Sequence, residues 1–202
     1  MACSGLLLCG GQSSRMGQDK ALLKVQGVPL LQRVHQVAHQ VLPGSPLYAV
    51  TPWPERYQQL LPSCRWVKDD IAQGPLAGFA QGLAVVQTEW VLLLACDLPR
   101  LDPQVLLTWR AALVVLPETV LALLPRSQQA WEPLCGFYRR SALASVRAFL
   151  HKGGRSFQDW LTLVRVQEAM GAPQEMFFNC NTPQELDRIE RGLTTVAERM
   201  VH

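Results

Sequence analysis

The sequence predicts an α/β fold, doubly wound around a mostly parallel sheet, and three observations carry that expectation. Apolar runs too short for lone helices alternate with segments of helical periodicity along most of the chain. Strands alternating with helices give a largely parallel sheet covered on both faces. With 202 residues, 49% hydrophobic and 17% charged, the chain can bury one sizeable core and has little material for two, so a single domain over 1–202 is expected.

Each element has its own justification. Leu6-Leu7-Leu8-Cys9 reads as a buried strand that opens at Gly10-Gly11 into a loop. From Pro29, the positions Leu30, Leu31, Val34, Val37, Ala38 and Val41 repeat as on an amphipathic helix, with proline near its first turn. Leu47 to Val50 is a second strand ended by Thr51-Pro52-Trp53-Pro54, and Arg65-Trp66-Val67 a short third before Lys68-Asp69-Asp70. Gly74-Pro75 starts a helix to about Val86, and Trp90 to Cys96 is the most apolar strand, closed by Asp97. Asp102 as N-cap with Pro103 in the first turn begins a helix through about Val115, followed by a strand from Val120 to Leu124. Pro133 to Tyr138 suggests an inserted antiparallel strand. Ser141 to Lys152 reads as a helix stopped by Gly153-Gly154, and Arg155 to Leu163 as a shorter one. Met176-Phe177-Phe178 reads as a last strand, then Thr182 and Glu185 as a capping box around Pro183, with Leu186, Ile189 and Leu193 as a core face.

Composition excludes several classes of function. The net charge of +3 comes from 19 basic and 16 acidic residues, with lysine only at 20, 24, 68 and 152. No basic run interleaved with aromatics suggests nucleic acid; the surplus suits a small polyanionic substrate. Six cysteines at 3, 9, 64, 96, 135 and 180 show no C-x-x-C or zinc-ligand spacing, which fits reduced thiols in a cytoplasmic protein. No targeting pattern opens the sequence, and no apolar stretch approaches the ~20 residues needed to span a bilayer, so no membrane association is expected. His35 and His39 are four apart but lack a third ligand, so a polar helix face is expected, as is a solvated pair at Arg139-Arg140. The six tryptophans show no stripe and read as core or rim packing.

The chemistry concentrates after the first strand. Gly10, Gly11 and Gly17 let backbone N–H groups converge on phosphate oxygens and take up positive φ, while Arg15 and Lys20 add full charges. Gln18 after Gly17 excludes a P-loop, and Gly10-Gly11 does not begin a dinucleotide-binding G-x-G-x-x-G. The expected ligand is a nucleoside triphosphate. In open α/β sheets ligands lie outside the carboxyl ends of the strands, so this loop, Lys68-Asp69-Asp70 and Asp97 should meet at one crevice. A carboxylate at the tip of a buried strand is costly to leave unpaired, and a hard cation such as magnesium satisfies it; capping the turn before Pro99 is the other reading of Asp97. Lys20 would clamp the phosphates and Arg15 the diphosphate leaving group. A terminal phosphate is already an anionic nucleophile, so no general base is required.

The loop pattern G-G-x-x-x-R-M-G-x-x-K resembles that of the molybdenum cofactor guanylyltransferases, the MobA-like nucleotidyltransferases. The resemblance implies a Rossmann-like nucleotidyltransferase domain that binds GTP with magnesium and joins GMP to molybdopterin, releasing diphosphate. It implies nucleotide contacts at Leu8, Cys9, Gly10, Gly11, Arg15, Gly17 and Lys20, with Cys9 standing where the family usually has alanine and making its contact through the backbone amide. Gly74-Pro75-Leu76-Ala77-Gly78 matches the family's G-P-L-A-G element, placing Pro75, Leu76, Ala77 and Gly78 at the nucleotide with Asp69 just upstream. Cys96-Asp97-Leu98-Pro99 matches the C-D-x-P metal position. Asn179-Cys180-Asn181-Thr182-Pro183 resembles the N-x-N-T-P element, so Asn179 and Asn181, with Arg155, are expected at the acceptor. The N-terminal half would bind GTP and the C-terminal half the acceptor, with cofactor-insertion proteins or molybdoenzymes as further partners.

Two rival readings remain. A relative could transfer CMP to molybdopterin, or activate another phosphorylated small molecule; Gly10-Gly11 and the G-P-L-A-G element favour guanine, since cytidylyl relatives resemble an A-A-G loop. A non-catalytic nucleotide-binding or cofactor-delivery module is the rival from another class. Arg15, Lys20 and Asp97 together argue against it.

Overall fold

The computed structural model describes residues 1–10, 19–128, 130–180 and 185. In chain order these form β1 (Cys3–Leu8), β2 (Lys24–Val25), β3 (Val28–Pro29), α1 (Leu30–Val41), β4 (Leu47–Thr51), β5 (Arg65–Lys68), α2 (Pro75–Val85) and β6 (Trp90–Ala95). Then come α3 (Pro103–Ala112), β7 (Ala122–Leu124), β8 (Arg126–Ser127), β9 (Ala130–Trp131), β10 (Cys135–Arg139), α4 (Ala142–His151), α5 (Phe157–Leu161) and β11 (Val166–Glu168). Seven strands make one sheet in the order β11-β7-β10-β6-β1-β4-β5, and two short hairpins, β2-β3 and β8-β9, stand apart from it.

The centre of the sheet follows from the apolar runs. All six residues of β1 and all six of β6 are buried, and the two pair in parallel from Cys3↔Trp90 to Leu8↔Ala95. Their side chains alternate between two cores. Leu7, Leu92 and Leu94 join Leu31, Val34 and Ala38 of α1 and Leu106 and Trp109 of α3, whereas Leu6, Val91 and Leu93 join Leu76, Phe79 and Leu83 of α2 and Val146 of α4. Each fully buried leucine contributes roughly 1.5–3 kcal/mol, so the doubly wound arrangement is the one that covers both apolar faces. Gly82 sets the closeness of α2: a Cβ there would lie 2.5 Å from Leu6 Cδ1 and 2.8 Å from Val50 Cγ2. The helix rests where no larger residue fits.

β10 runs antiparallel to both β6 and β7, as the sequence suggests for this stretch. Asp102 caps α3, its Oδ1 accepting from Gln104 N at 2.8 Å.

Three expectations are corrected and one strand is added. Met176-Phe177-Phe178 is not a strand; residues Gln174–Phe177 form a 3-10 turn that sinks Met176 and Phe177 into the core under α1 and α3. Val166–Glu168 adds an edge strand, parallel to β7, that the sequence did not announce. The helix expected over Arg155 to Leu163 contracts to α5, opened by Ser156, whose side chain accepts from Asp159 N. Arg139 and Arg140 are not a solvated pair: Arg139 is 7% exposed and ion-paired with Glu89, and Arg140 Nε donates to Val86 O at 2.7 Å. Thr182, Pro183, Leu186, Ile189 and Leu193 lie outside the described residues. The six cysteines are unbridged, and His39 lies on an exposed face of α1 beside half-buried His35. No described helix is long and apolar enough to cross a membrane.

Candidate active site

The two central strands end side by side, and a cleft opens at their carboxyl ends. Leu8, Cys9 and Gly10 line it from β1, Ala95, Cys96 and Asp97 from β6, Asp19, Lys20 and Ala21 from the segment before β2, Pro75 from the start of α2, and Leu134 from the start of β10. The strand tips stay tied after the regular ladders stop, because Cys9 N donates to Val50 O at 2.9 Å and Cys96 N to Leu8 O at 3.2 Å. The Cys9 amide is therefore already hydrogen-bonded within the sheet. Gly10 is not in the left-handed region. Its use is close approach: a Cβ would sit 3.0 Å from Pro52 Cδ.

Lys20 is held by what precedes it. Asp19 caps the 3-10 turn Lys20–Leu22, with Oδ1 accepting from Ala21 N at 3.1 Å, and its Oδ2 accepts from Tyr57 OH at 2.5 Å. Tyr57 is buried, and burial together with the Asp19 carboxylate drives its hydroxyl pKa well up, so it remains a donor. Arg56 adds a weak ion pair with Asp19 at 4.0 Å. The lysine backbone is thus fixed from its neighbours.

Asp97 is half-buried, and its carbonyl accepts from Cys180 N at 3.1 Å. Burial pushes its carboxyl above the ordinary aspartate range, while the Lys20 charge pulls the other way. Among the described residues that line the cleft, the Lys20 charge thus acts on the desolvated carboxylate of Asp97. Asp97 is an oxygen donor suited to a hard cation.

Other expected site residues stand around this pair. Asp69 does not line the cleft: its Oδ1 accepts from Ile71 N, Ala72 N and Gln81 Nε2, folding the turn that carries Ala72 to φ 48° and leads to α2. Its other oxygen lies beside Gly78. Gly74 at φ 92° then turns the chain into α2, whose first-turn N–H groups at Leu76 and Ala77 have no acceptor within the helix. Arg155 is exposed and caps α4, donating to Leu150 O at 3.0 Å and Gly154 O at 2.6 Å. Asn179 is exposed next to Cys180, which binds the Asp97 carbonyl. Gly11, Arg15, Gly17 and Asn181 lie outside the described residues. Sequence reasoning missed Asp19, Tyr57 and Leu134. An aspartate two residues before the amide it caps was the readable signal for Asp19; nothing local links Tyr57 or Leu134 to the cleft.

Comparison with known proteins agrees with this geometry. Residues 5–170 match the MobA-like NTP transferase domain. A protein of Nostoc sp. named a probable molybdenum cofactor guanylyltransferase is 55% identical over 188 residues, covering 93% of this chain and 90% of its own. A molybdenum cofactor guanylyltransferase of Pseudomonas fluorescens is 35% identical over 190 residues, covering 92% of each chain. The crystal structure of molybdopterin-guanine dinucleotide biosynthesis protein A from Archaeoglobus fulgidus superposes with a TM-score of 0.75 at 22% identity, over 95% of this chain and 99% of that one, and so shares the fold. With Lys20 and Asp97 lining a cleft at the carboxyl ends of its two central strands, and a family match spanning most of its length, the chain belongs to the MobA-like NTP transferases and is a nucleotidyltransferase.

Proposed function

We propose that this enzyme transfers GMP from GTP to molybdopterin, releasing diphosphate and forming the guanine dinucleotide cofactor, and that it does so in the cytoplasm. The presence of Lys20 and Asp97 in the lining of one cleft is the observation that carries this reading. Relatives named for the same reaction, at 55% and 35% identity over nearly the whole chain, support the substrates.

The reaction is an in-line displacement at the α-phosphate, so positioning and electrostatics supply most of the rate. Lys20 neutralises phosphate oxygens, held in place by the Asp19 cap. Gly10 lets the chain pass close to the ligand, followed by Gly11, Arg15 and Gly17, with Arg15 gripping the departing diphosphate. The start of α2 offers the N–H groups of Leu76 and Ala77 to the nucleotide, Gly78 beside them donates to Gly74 O, and Asp69 holds that start in place. Asn179, Asn181 and Arg155 are assigned to the acceptor, whose terminal phosphate is the nucleophile. Asp97 fits magnesium on its donor chemistry: burial makes its negative charge costly, and magnesium binds through one or two carboxylates plus substrate phosphates. Bound there, the ion would supply charge neutralisation of the triphosphate.

Diphosphate release from purified protein, magnesium and molybdopterin, measured with each of the four nucleoside triphosphates, tests the reading. GTP should exceed CTP by at least about tenfold, roughly 1.4 kcal/mol, because a pyrimidine loses two or more base-edge hydrogen bonds. Equal turnover with CTP defeats the guanine assignment.

A further inference from the structure

β1 and β6 are in register up to Leu8↔Ala95, so the next residues on each strand, Cys9 and Cys96, are cross-strand neighbours at the floor of the cleft. The Cys96 N–H to Leu8 O bond keeps that register past the end of the ladder. Alternation puts both thiols on the same face as Leu7 and Leu94, where Cys9 is buried in the core cluster and Cys96 packs against it. Neighbouring strands run about 4.8 Å apart. That separation lies inside the range of about 4.4–6.8 Å between Cα atoms that a disulfide spans.

The two thiols differ in access. Cys9 is 3% exposed, whereas Cys96 is half-buried and lines the cleft. From this we infer that Cys9 and Cys96 form a dithiol modification site that a peroxide closes to a disulfide, and that closure weakens nucleotide binding. With hydrogen peroxide as the oxidant, Cys96 Sγ attacks one peroxide oxygen, an S–O bond forming as the O–O bond breaks and one water leaving. Cys9 Sγ then attacks the sulfenic sulfur; the S–S bond forms, the S–O bond breaks, and a second water leaves. Two electrons pass from the thiols to the peroxide, and both thiol protons end in water. A small dithiol reductant reverses the change.

Closure reaches the ligand side through the next residue on each chain. Gly10 follows Cys9 and Asp97 follows Cys96, so drawing the strand tips together shifts the start of the glycine loop against the carboxylate. The cross-link stands on strand geometry alone, whereas its effect on the nucleotide rests on the function proposed above.

The test uses the whole purified chain, reduced, peroxide-treated, and treated then re-reduced with dithiothreitol. Peptide mapping by mass spectrometry should find Cys9 joined to Cys96, and calorimetry should find GTP bound at least about tenfold more weakly until re-reduction. Cys96→Ser and Cys9→Ser, each compared with its own untreated sample, should lose the peroxide response. A map showing no Cys9–Cys96 link, or Cys9 joined to Cys64 instead, overturns the site. A mapped link with unchanged GTP affinity overturns the effect on binding. Absence of GTP binding in the reduced protein would instead overturn the guanylyl reading, with the cross-link still judged on the map.

Discussion

The two ends of strand β6 treat charge in opposite ways. At its start, beside Trp90, the Arg139 guanidinium is held by its own chain: Nε donates to Val120 O at 3.0 Å, Nη2 to Leu116 O at 3.0 Å and Pro117 O at 3.3 Å, Nη1 pairs with Glu89, and the group lies 4.4 Å from the Trp90 ring centroid. At its end, the Asp97 carboxylate is desolvated enough to be pushed toward its neutral form and is opposed chiefly by Lys20. A buried charge whose bonds are all made by its own chain serves architecture, because any ligand would have to displace partners it already has. A buried charge left in deficit gains from a ligand. The contrast between the ends identifies the working end of the sheet.

The largest effect should come from breaking the deficit end. Asp97→Asn keeps size and turn geometry but removes the anionic charge, and diphosphate release should fall at least ~100-fold, about 2.7 kcal/mol, in protein that still melts cooperatively. A variant that loses stability and activity in proportion would make Asp97 a cap like Asp102. Next, Arg139→Leu should break the opposite end: it removes the side-chain donor from the Val120 and Leu116 carbonyls, Pro117 O keeping Val120 N, and chemical denaturation should show a loss of about 2 kcal/mol while turnover per folded molecule is unchanged. Altered kcat in that variant would end the separation of roles. Lys20→Ala should weaken GTP binding and slow transfer together by about tenfold or more, roughly 1.4 kcal/mol, since an ammonium contacts phosphates in ground and transition states alike.

The smallest effect concerns pH. Because the folded pKa of Asp97 lies above its unfolded value of 3.8, this group favours folding fully below 3.8, and that contribution is lost as pH rises through the raised value. Without ligand, Asp97→Asn should therefore melt a little higher than the parent at neutral pH and converge with it in acid. Melting curves from pH 3.5 to 7.5 check the sign, and a parent that gains on the variant with rising pH would contradict the desolvated carboxylate.

What the sequence disclosed and what it hid divide along the same physical line. β1, β4 and β6 were readable because buried parallel strands need unbroken apolar runs, and α3 because Asp102 and Pro103 mark its start. Val166–Glu168 was hidden because a three-residue edge strand with two exposed polar residues carries almost no periodic signal. Met176–Phe178 misled for the opposite reason: its apolarity comes from core contact, and a 3-10 turn after Pro173 satisfies that without a strand partner. Arg139 looked solvated because its carbonyl partners lie some twenty residues away in sequence. At the site, Asp97 and Lys20 were legible as motif chemistry. Asp69 was read for its ligand contacts; what the sequence hid is that its Oδ1 also holds the turn before α2.

The pairing of β1 with β6 joins segments about 90 residues apart, whereas hairpins such as β2-β3 close over a few. As the chain is synthesised from its N-terminus, the first strand must wait for nearly half the protein before its central partner exists. Both walls of the nucleotide cleft come into being in that single late event. GTP can therefore stabilise the finished sheet by mass action but cannot guide its assembly, and chain-opening mutations in β1 should show themselves first as slow folding rather than as poor affinity.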